Sequence, residues 1–249
     1  MQFLITNPAG ERLDTTFTAG AGADIKSDWL VVLGHGVTGD KTRPIIADTA
    51  AALTTAGFNT LSVSFAGNGD SAGDFRASTI TKEVADLGAV LDAVAATGTY
   101  SKIAYIGHSM GAAVGVLRAA QDDRIHALIS LAGMVDTKTF AQTEFGDVKP
   151  DEGVMWEDED CPLSRAFMTD LTETISNISP AAEQIAIPWL LVHGTADDVV
   201  RPADTEHIQV IKQSFADYVF VAGADHGFND PAYKTAVTAA VANWLKARS

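Results

Sequence analysis

The sequence predicts an α/β fold: an eight-stranded, mostly parallel sheet with helices packed on both faces. Three observations lead there. Short apolar runs recur without the polar alternation of a half-exposed strand, as at residues 29–33 and 127–131, and such runs suit strands buried on both sides. Stretches of helical periodicity alternate with those runs, the pattern of crossover-connected parallel strands. Midway, Gly107-His108-Ser109-Met110-Gly111 stands between an apolar run and a small-residue helical stretch, a context of strand, sharp turn and helix.

The elements follow in order. Residues 2–6 and 11–18 read as two antiparallel strands joined at Asn7-Pro8-Ala9-Gly10, a strong turn sequence. Residues 29–33 form the first long parallel strand, and Gly34-His35-Gly36-Val37-Thr38-Gly39 is the loop after it. Helical periodicity from 43 to 56 ends at Gly57, a C-terminal stop. The strand at 59–65 runs into the polar, glycine-rich loop 66–73. A helix over 79–96 places Val84, Leu87, Val90, Leu91 and Val94 near one face. Strand 102–106 and helix 110–120 flank the central motif, and strand 127–131 comes next. Strands at 188–192 and 217–221, followed by helices near 203–214 and 231–247, complete the alternation.

Residues 134–183 break it. They contain no convincing buried strand, are acidic at Asp151, Glu152, Glu157, Asp158, Glu159 and Asp160, and carry Phe140, Phe145, Trp156, Phe167 and Met168. A stretch this long inside a compact fold is usually functional. The expectation is an inserted, partly helical lid, with a structural excursion or a homodimer contact as rival readings. No second domain, internal repeat or low-complexity tract stands out, so residues 1–249 read as a single domain.

The central motif reads G-x-S-x-G. In a strand-turn-helix context this is a nucleophile elbow, which holds a serine in strained backbone geometry and lifts its hydroxyl clear of the sheet. Strand and helix then pass so closely that side chains at 107 and 111 would collide, and glycine removes both collisions. A serine hydroxyl is a poor nucleophile at neutral pH and needs a base, which in turn needs an orienting acid. In this arrangement the chain order is Ser, acid, His, each partner lying beyond the end of a late strand.

Of the six histidines, His226 in Gly223-Ala224-Asp225-His226-Gly227-Phe228 meets that rule and is the expected base. His193 precedes any late acid and reads as a packed or loop-stabilising residue. His35 shapes its loop, His108 is committed inside the elbow, and His126 and His207 are peripheral. The acid belongs in His193-Gly194-Thr195-Ala196-Asp197-Asp198, with Asp197 preferred over Asp198. Asp225 is too close to the base along the chain to bind its far ring nitrogen. A tetrahedral intermediate needs preorganised N–H donors, here the backbone N–H groups of Met110 and Val37, with Gly36 and its neighbouring glycines letting that loop bend inwards. His35, Gly36, His108 and the insertion's Phe140, Phe145, Trp156, Phe167 and Met168 are the expected substrate-binding residues.

Composition excludes several classes. With Lys+Arg 17 against Asp+Glu 32, the formal net charge is −15, which repels nucleic acid and anionic membranes and disfavours strongly anionic substrates. Cys161 is the one cysteine, so no internal disulfide is possible, and neither an elbow nor a base accompanies it. The N-terminal residues lack a signal-peptide pattern and no apolar run reaches membrane-spanning length, which makes the cytoplasm the default compartment. The glycine-rich loops at 34–39 and 67–73 match neither the P-loop nor the dinucleotide fingerprint. The acidic run matches no EF-hand spacing. No metal or organic cofactor is expected.

The segments His35-Gly36-Val37-Thr38-Gly39, Gly107-His108-Ser109-Met110-Gly111, His193-Gly194-Thr195-Ala196-Asp197 and Asp225-His226-Gly227-Phe228 resemble the α/β-hydrolase family. Within it, the chain looks like small bacterial carboxylesterases of the cinnamoyl/feruloyl esterase type and serine aminopeptidase-like hydrolases. The loop Phe65-Ala66-Gly67-Asn68-Gly69-Asp70-Ser71 departs from the family's more usual Arg/Asn-Gly-His-Gly form. The resemblance implies an eight-stranded core, a lid after the sixth strand, and a Ser109-Asp197-His226 triad without a cofactor. The expected activity is hydrolysis of small-molecule carboxylic esters, short or medium acyl or hydroxycinnamoyl, through an acyl-serine. Peptide, amide or thioester hydrolysis with the same triad, or ligand binding on a hydrolase scaffold, are the alternatives. A serine at 109 sets aside dehalogenase and epoxide hydrolase chemistry, which needs a carboxylate there.

Overall fold

The apolar runs pair as strands buried on both faces should. The computed structural model describes residues 3–22 and 26–249; Gln2, where the first strand is predicted to begin, lies outside them. β1 (Ile5–Thr6) and β2 (Arg12–Thr18) pair antiparallel. In the turn between them Asn7 Oδ1 accepts the N–H groups of Ala9 and Glu11, and Gly10 takes φ +81°. The remaining strands are β3 (Lys26–Gly34), β4 (Phe58–Ser64), β5 (Lys102–His108), β6 (Ile125–Leu131), β7 (Trp189–Gly194) and β8 (Ala216–Val221). They form an eight-stranded sheet in the order β1-β2-β4-β3-β5-β6-β7-β8. β2 joins β4 antiparallel, and every later pairing is parallel. This is the arrangement that the α/β-hydrolase resemblance implies.

The period of two along each buried strand divides the core. Leu30, Val32, Ile103 and Tyr105 face α2 (Ile80–Ala96), α3 (Met110–Ala119) and α7 (Pro202–Lys212). Val31, Leu33, Ala104 and Ile106 face α1 (Pro44–Thr55) and α8 (Pro231–Lys246), where Ile45, Ile46, Leu53, Val237, Val241 and Leu245 meet them. Each large aliphatic side chain buried this way contributes about 1.5–3 kcal/mol. Register then aligns the strand ends: Gly34 lies opposite Gly107, and Gly107 opposite Ser130. The loops after β3, β5, β7 and β8 therefore open on one edge of the sheet, where sites in open α/β sheets gather.

Between β6 and β7 the chain forms α4 (Thr137–Phe145), α5 (Arg165–Thr169), a wider π-helical turn over Asp170–Ile175, and α6 (Ser179–Gln184). The only strand-like contact among the described residues of the insertion is a bridge between Val154 and Pro162. The insertion is anchored to the sheet's helices: Asp170 accepts the Thr81 N–H and hydroxyl at 3.1 and 2.5 Å. Its aromatic side chains pack on one another, with Phe145 at 4.9 Å from Trp156 and 5.9 Å from Phe140 between ring centroids.

Candidate active site

The turn from β5 into α3 has the geometry of an elbow. Ser109 takes φ +55° and ψ −120°, a left-handed conformation that costs a non-glycine residue strain. Its N–H donates to the Leu131 carbonyl at 2.9 Å, and its own carbonyl accepts from Ala112 and Met134. A Cβ at Gly107 would run into the Gly111 backbone, as the strand-helix crossing requires. A Cβ at Gly111 would instead strike the His35 carbonyl oxygen. The second collision therefore lies between the helix and the end of β3 with the loop after it, not between the helix and its own strand β5. At Gly36 a Cβ would sit 2.7 Å from Ser109 Cβ, so that glycine admits the loop to the serine.

The two expected oxyanion donors are free. Met110 opens α3, where a first-turn N–H has no intrahelical acceptor. Among the described residues, neither the Met110 nor the Val37 N–H donates to a protein acceptor, although both residues are buried. An unpaired buried N–H is costly unless something fills it. His35 fixes the loop from within. Its Nδ1–H donates to the Gly36 carbonyl and its Nε2 accepts the Phe65 N–H, both at 2.9 Å. Burial pushes its pKa down to about 4, which keeps this tautomer neutral.

The expected base and the expected acid lie within hydrogen-bonding distance of each other. His226 Nδ1 donates to Asp197 Oδ2 at 2.8 Å. Asp197 Oδ1 accepts the N–H groups of Val199 and Val200 at 3.0 and 2.9 Å. Burial opposes the charge on Asp197, yet hydrogen bonds from His193 and His226 outweigh it and hold the carboxyl at about 2. The carboxylate therefore stays ionised across the physiological range. Asp198 is exposed, and Asp225 accepts the N–H and side-chain amide of Asn229. Among the described residues, Ser109 Oγ and His226 Nε2 form no hydrogen bond with each other, although both residues line one cavity. In an empty site such bonds are often long and tighten when substrate arrives.

Two histidines do more than their sequence context reveals. His193 lies fully buried beneath the acid, with Nε2 at 3.2 Å from Asp197 Oδ2 and 2.8 Å from the Val200 carbonyl. Thr205 Oγ1 is 2.8 Å from its Nδ1. His108 Nε2 donates to the His226 carbonyl at 2.9 Å, tying the elbow to the base's loop. Burial, then the neighbouring His226, lowers the His108 pKa to about 3, and its Nδ1 is left without a partner. The signal for His193 was its place four residues before Asp197 at a strand end; the sequence holds no comparable signal for His108.

A cavity of about 510 Å³ covers Ser109. Gly36, Val37, Thr38 and His108 line it with His226, Gly227, Asn229 and Val199, while Arg43, Pro44 and Ile45 come from the start of α1. From the insertion only Trp156 reaches it. The other predicted lining residues are elsewhere, His35 among them, fully buried behind its loop by the bonds that fix that loop. Phe140, Phe145 and Phe167 are buried in the core, and Met168 packs against it. Phe167 borders a smaller void beside Val37 and Met110. The reason is competition: the insertion's helices must bury an apolar face, and these side chains supply it. Arg43 and Asn229 line the cavity without having been singled out in the sequence.

The prolyl oligopeptidase family model matches residues 47–249. The chain belongs to the prolyl oligopeptidase family. It is a serine hydrolase of the α/β type, and the matched span holds the elbow and both of its expected partners. No curated protein sequence matches it. Among solved structures, Est1E from Butyrivibrio proteoclasticus with ferulic acid bound superposes with TM-score 0.86 at 24% identity, covering 98% of each chain. An esterase from Pyrococcus furiosus gives TM-score 0.74 at 19% identity, covering 98% of this chain and 90% of that one. The esterase domain of a Rhodothermus marinus protein gives TM-score 0.74 at 20% identity, covering 98% of both. At these identities the likeness is one of fold, and it agrees with the family's α/β-hydrolase architecture.

Proposed function

We propose that the chain is a carboxylic ester hydrolase acting through an acyl-Ser109 intermediate. The observation that carries this reading is convergence around Ser109: a strained serine, the unpaired N–H of Val37 at the same cavity, the unpaired N–H of Met110 next in the chain, and a histidine bonded to a buried carboxylate. A carboxylate only accepts, so the Asp197 bond keeps the His226 proton on Nδ1 and leaves a lone pair on Nε2. Ser109 Oγ attacks the ester carbonyl carbon while its proton passes to Nε2. The carbonyl electron pair moves onto oxygen, where the Val37 and Met110 N–H groups stabilise it. Collapse breaks the ester C–O bond, and His226 returns the proton to the departing alcohol. Water then repeats the sequence on the acyl-enzyme, releasing the carboxylic acid and restoring Ser109.

The chain acts as one catalytic domain in this reading, with the 134–183 insertion as a lid that brings Trp156 to the substrate. The apolar walls at Pro44, Ile45, Val199 and Trp156 suit an aliphatic or aromatic ester. The ferulic acid in Est1E makes hydroxycinnamoyl esters a reasonable member of the panel. Amide hydrolysis is the second reading, favoured by the family to which the chain belongs. Turnover of nitrophenyl esters of graded chain length, a hydroxycinnamate ester and matched anilides separates them. Ester turnover exceeding anilide turnover by orders of magnitude supports the esterase; comparable rates or an anilide preference contradict it.

A further inference from the structure

The chain carries a net charge of −15, yet the cavity over Ser109 has the opposite local character. Among the described residues, no Asp or Glu lines it, and Arg43 is its one side chain of permanent charge. Arg43 is half-buried. Its Nη2 donates only to neutral oxygens, the Val37 carbonyl at 3.3 Å and Thr38 Oγ1 at 3.4 Å. Both bonds are long, and a guanidinium has five N–H groups to place.

The other arginines are treated differently. Arg118, Arg124, Arg165 and Arg248 each pair with a carboxylate, and Arg12, Arg76 and Arg201 are exposed to water. Among the described residues, no carboxylate lies within ion-pairing distance of Arg43, although acids outnumber bases 32 to 17. Asp40 feels its charge through space, but Asp40 Oδ1 is engaged by the Thr42 N–H and hydroxyl at 2.6 Å each. The field of Arg43 also reaches His108 in the elbow and His35 in the oxyanion loop. A partly desolvated guanidinium left unpaired beside a nucleophile, among apolar walls, is an arrangement made for an organic anion.

We propose that the preferred substrate is an ester that itself bears a carboxylate, which Arg43 binds in the cavity while Ser109 attacks the ester carbonyl. This rests on the esterase reading above and specifies its substrate class. It also reverses the expectation from net charge: the global field repels anions, but within the cavity the near, poorly screened cation governs.

Paired esters test it. 4-Acetoxybenzoate against methyl 4-acetoxybenzoate places the carboxylate on the leaving group; monoethyl adipate against ethyl heptanoate places it on the acyl side. In the wild type, kcat/KM for the acid member of at least one pair should exceed that of the neutral member by about tenfold or more. That ratio should fall to about 1 in Arg43→Gln and survive in part in Arg43→Lys. No acid preference in the wild type, or a ratio unchanged by Arg43→Gln, overturns the proposal. Calorimetry on the wild type gives a readout free of turnover and of any folding defect in the variants. 4-Hydroxybenzoate or adipate should bind at least about tenfold more tightly than the corresponding amide, and equal affinities overturn the proposal. Neutral esters and fluorophosphonate labelling report on the esterase reading separately. Labelling and neutral turnover without an acid preference sink the Arg43 proposal alone.

Discussion

Ser109 and Trp156 line the same cavity, yet they reach it from regions of opposite character. Around Ser109, the backbone decides. Gly36, Gly107 and Gly111 each stand where a single added carbon would meet another part of the site, and the serine itself is held at φ +55°. Around Trp156, side-chain packing decides. Phe140, Phe145 and Phe167 fill the space beneath the insertion and leave Trp156, 43% exposed, as its contribution to the cavity. Trp156 also has φ +46°, and its indole N–H donates to Glu144 at 2.8 Å. In the proposed function the contrast separates a chemical wall, fixed by sterics at strand ends, from a recognition wall whose shape depends on how the insertion packs.

Substitutions sharpen that contrast, beginning with the chemical wall. Ser109→Ala should lower kcat by about 10⁶ without unfolding the chain, and Asp197→Asn by about 10⁴ through the wrong histidine tautomer. Steady-state kinetics beside a circular-dichroism melt checks both, and turnover near the wild-type level in either breaks the triad assignment. On the recognition wall the effect should move from chemistry to stability. Phe145→Ala, at a fully buried site, should cost about 3–5 kcal/mol and lower Tm by on the order of 10 °C. Its kcat at a temperature where it is folded should change little. Trp156→Ala should cost about 1 kcal/mol or less and raise KM instead. If Phe145→Ala abolished kcat in a folded protein, the two walls would not be separable.

The smallest effect concerns Glu83, fully buried on α2 with Oε2 unpartnered. Burial, then repulsion from Asp86, raises its pKa well above the ordinary value of 4.5. The folded chain thus holds a proton that the unfolded chain releases above about pH 4.5. The stabilising contribution of neutral Glu83 is complete below that pH and is lost as pH rises towards the folded value. Glu83→Gln keeps a neutral side chain at every pH, so its Tm relative to wild type should climb by a few degrees between pH 4 and pH 8. A difference in Tm independent of pH contradicts a neutral Glu83.

The two walls were unequally legible in the sequence for the same physical reasons. The elbow and the proposed acid and base are specified locally: a glycine where a Cβ cannot fit, a serine at a turn, an Asp and a His just past strand ends. Chain order alone then pairs Asp197 with His226, and the structure brings them to 2.8 Å. The central strands β3, β5, β6 and β7 were legible because strands buried on both faces leave continuous apolar runs, whereas β1 and β2 were marked by the turn between them. The insertion was not, because an aromatic residue reads the same whether it lines a cavity or fills a core; Phe145 and Trp156 differ only in what packs over them. His193 was legible as a packed, loop-stabilising residue, but its bond to Asp197 depends on how the loop between them turns. Arg43 was hidden because what marks it is a missing neighbour, and absence of a carboxylate is visible only in three dimensions.

The most direct test of the central claim, that Ser109 is the acylated nucleophile, is the intact mass of the protein after exposure to a fluorophosphonate, with peptide mapping of the adduct. A single adduct on Ser109 is expected, abolished in Ser109→Ala and slowed in Asp197→Asn. An adduct on another residue, or an unmodified protein that still hydrolyses esters, would contradict it.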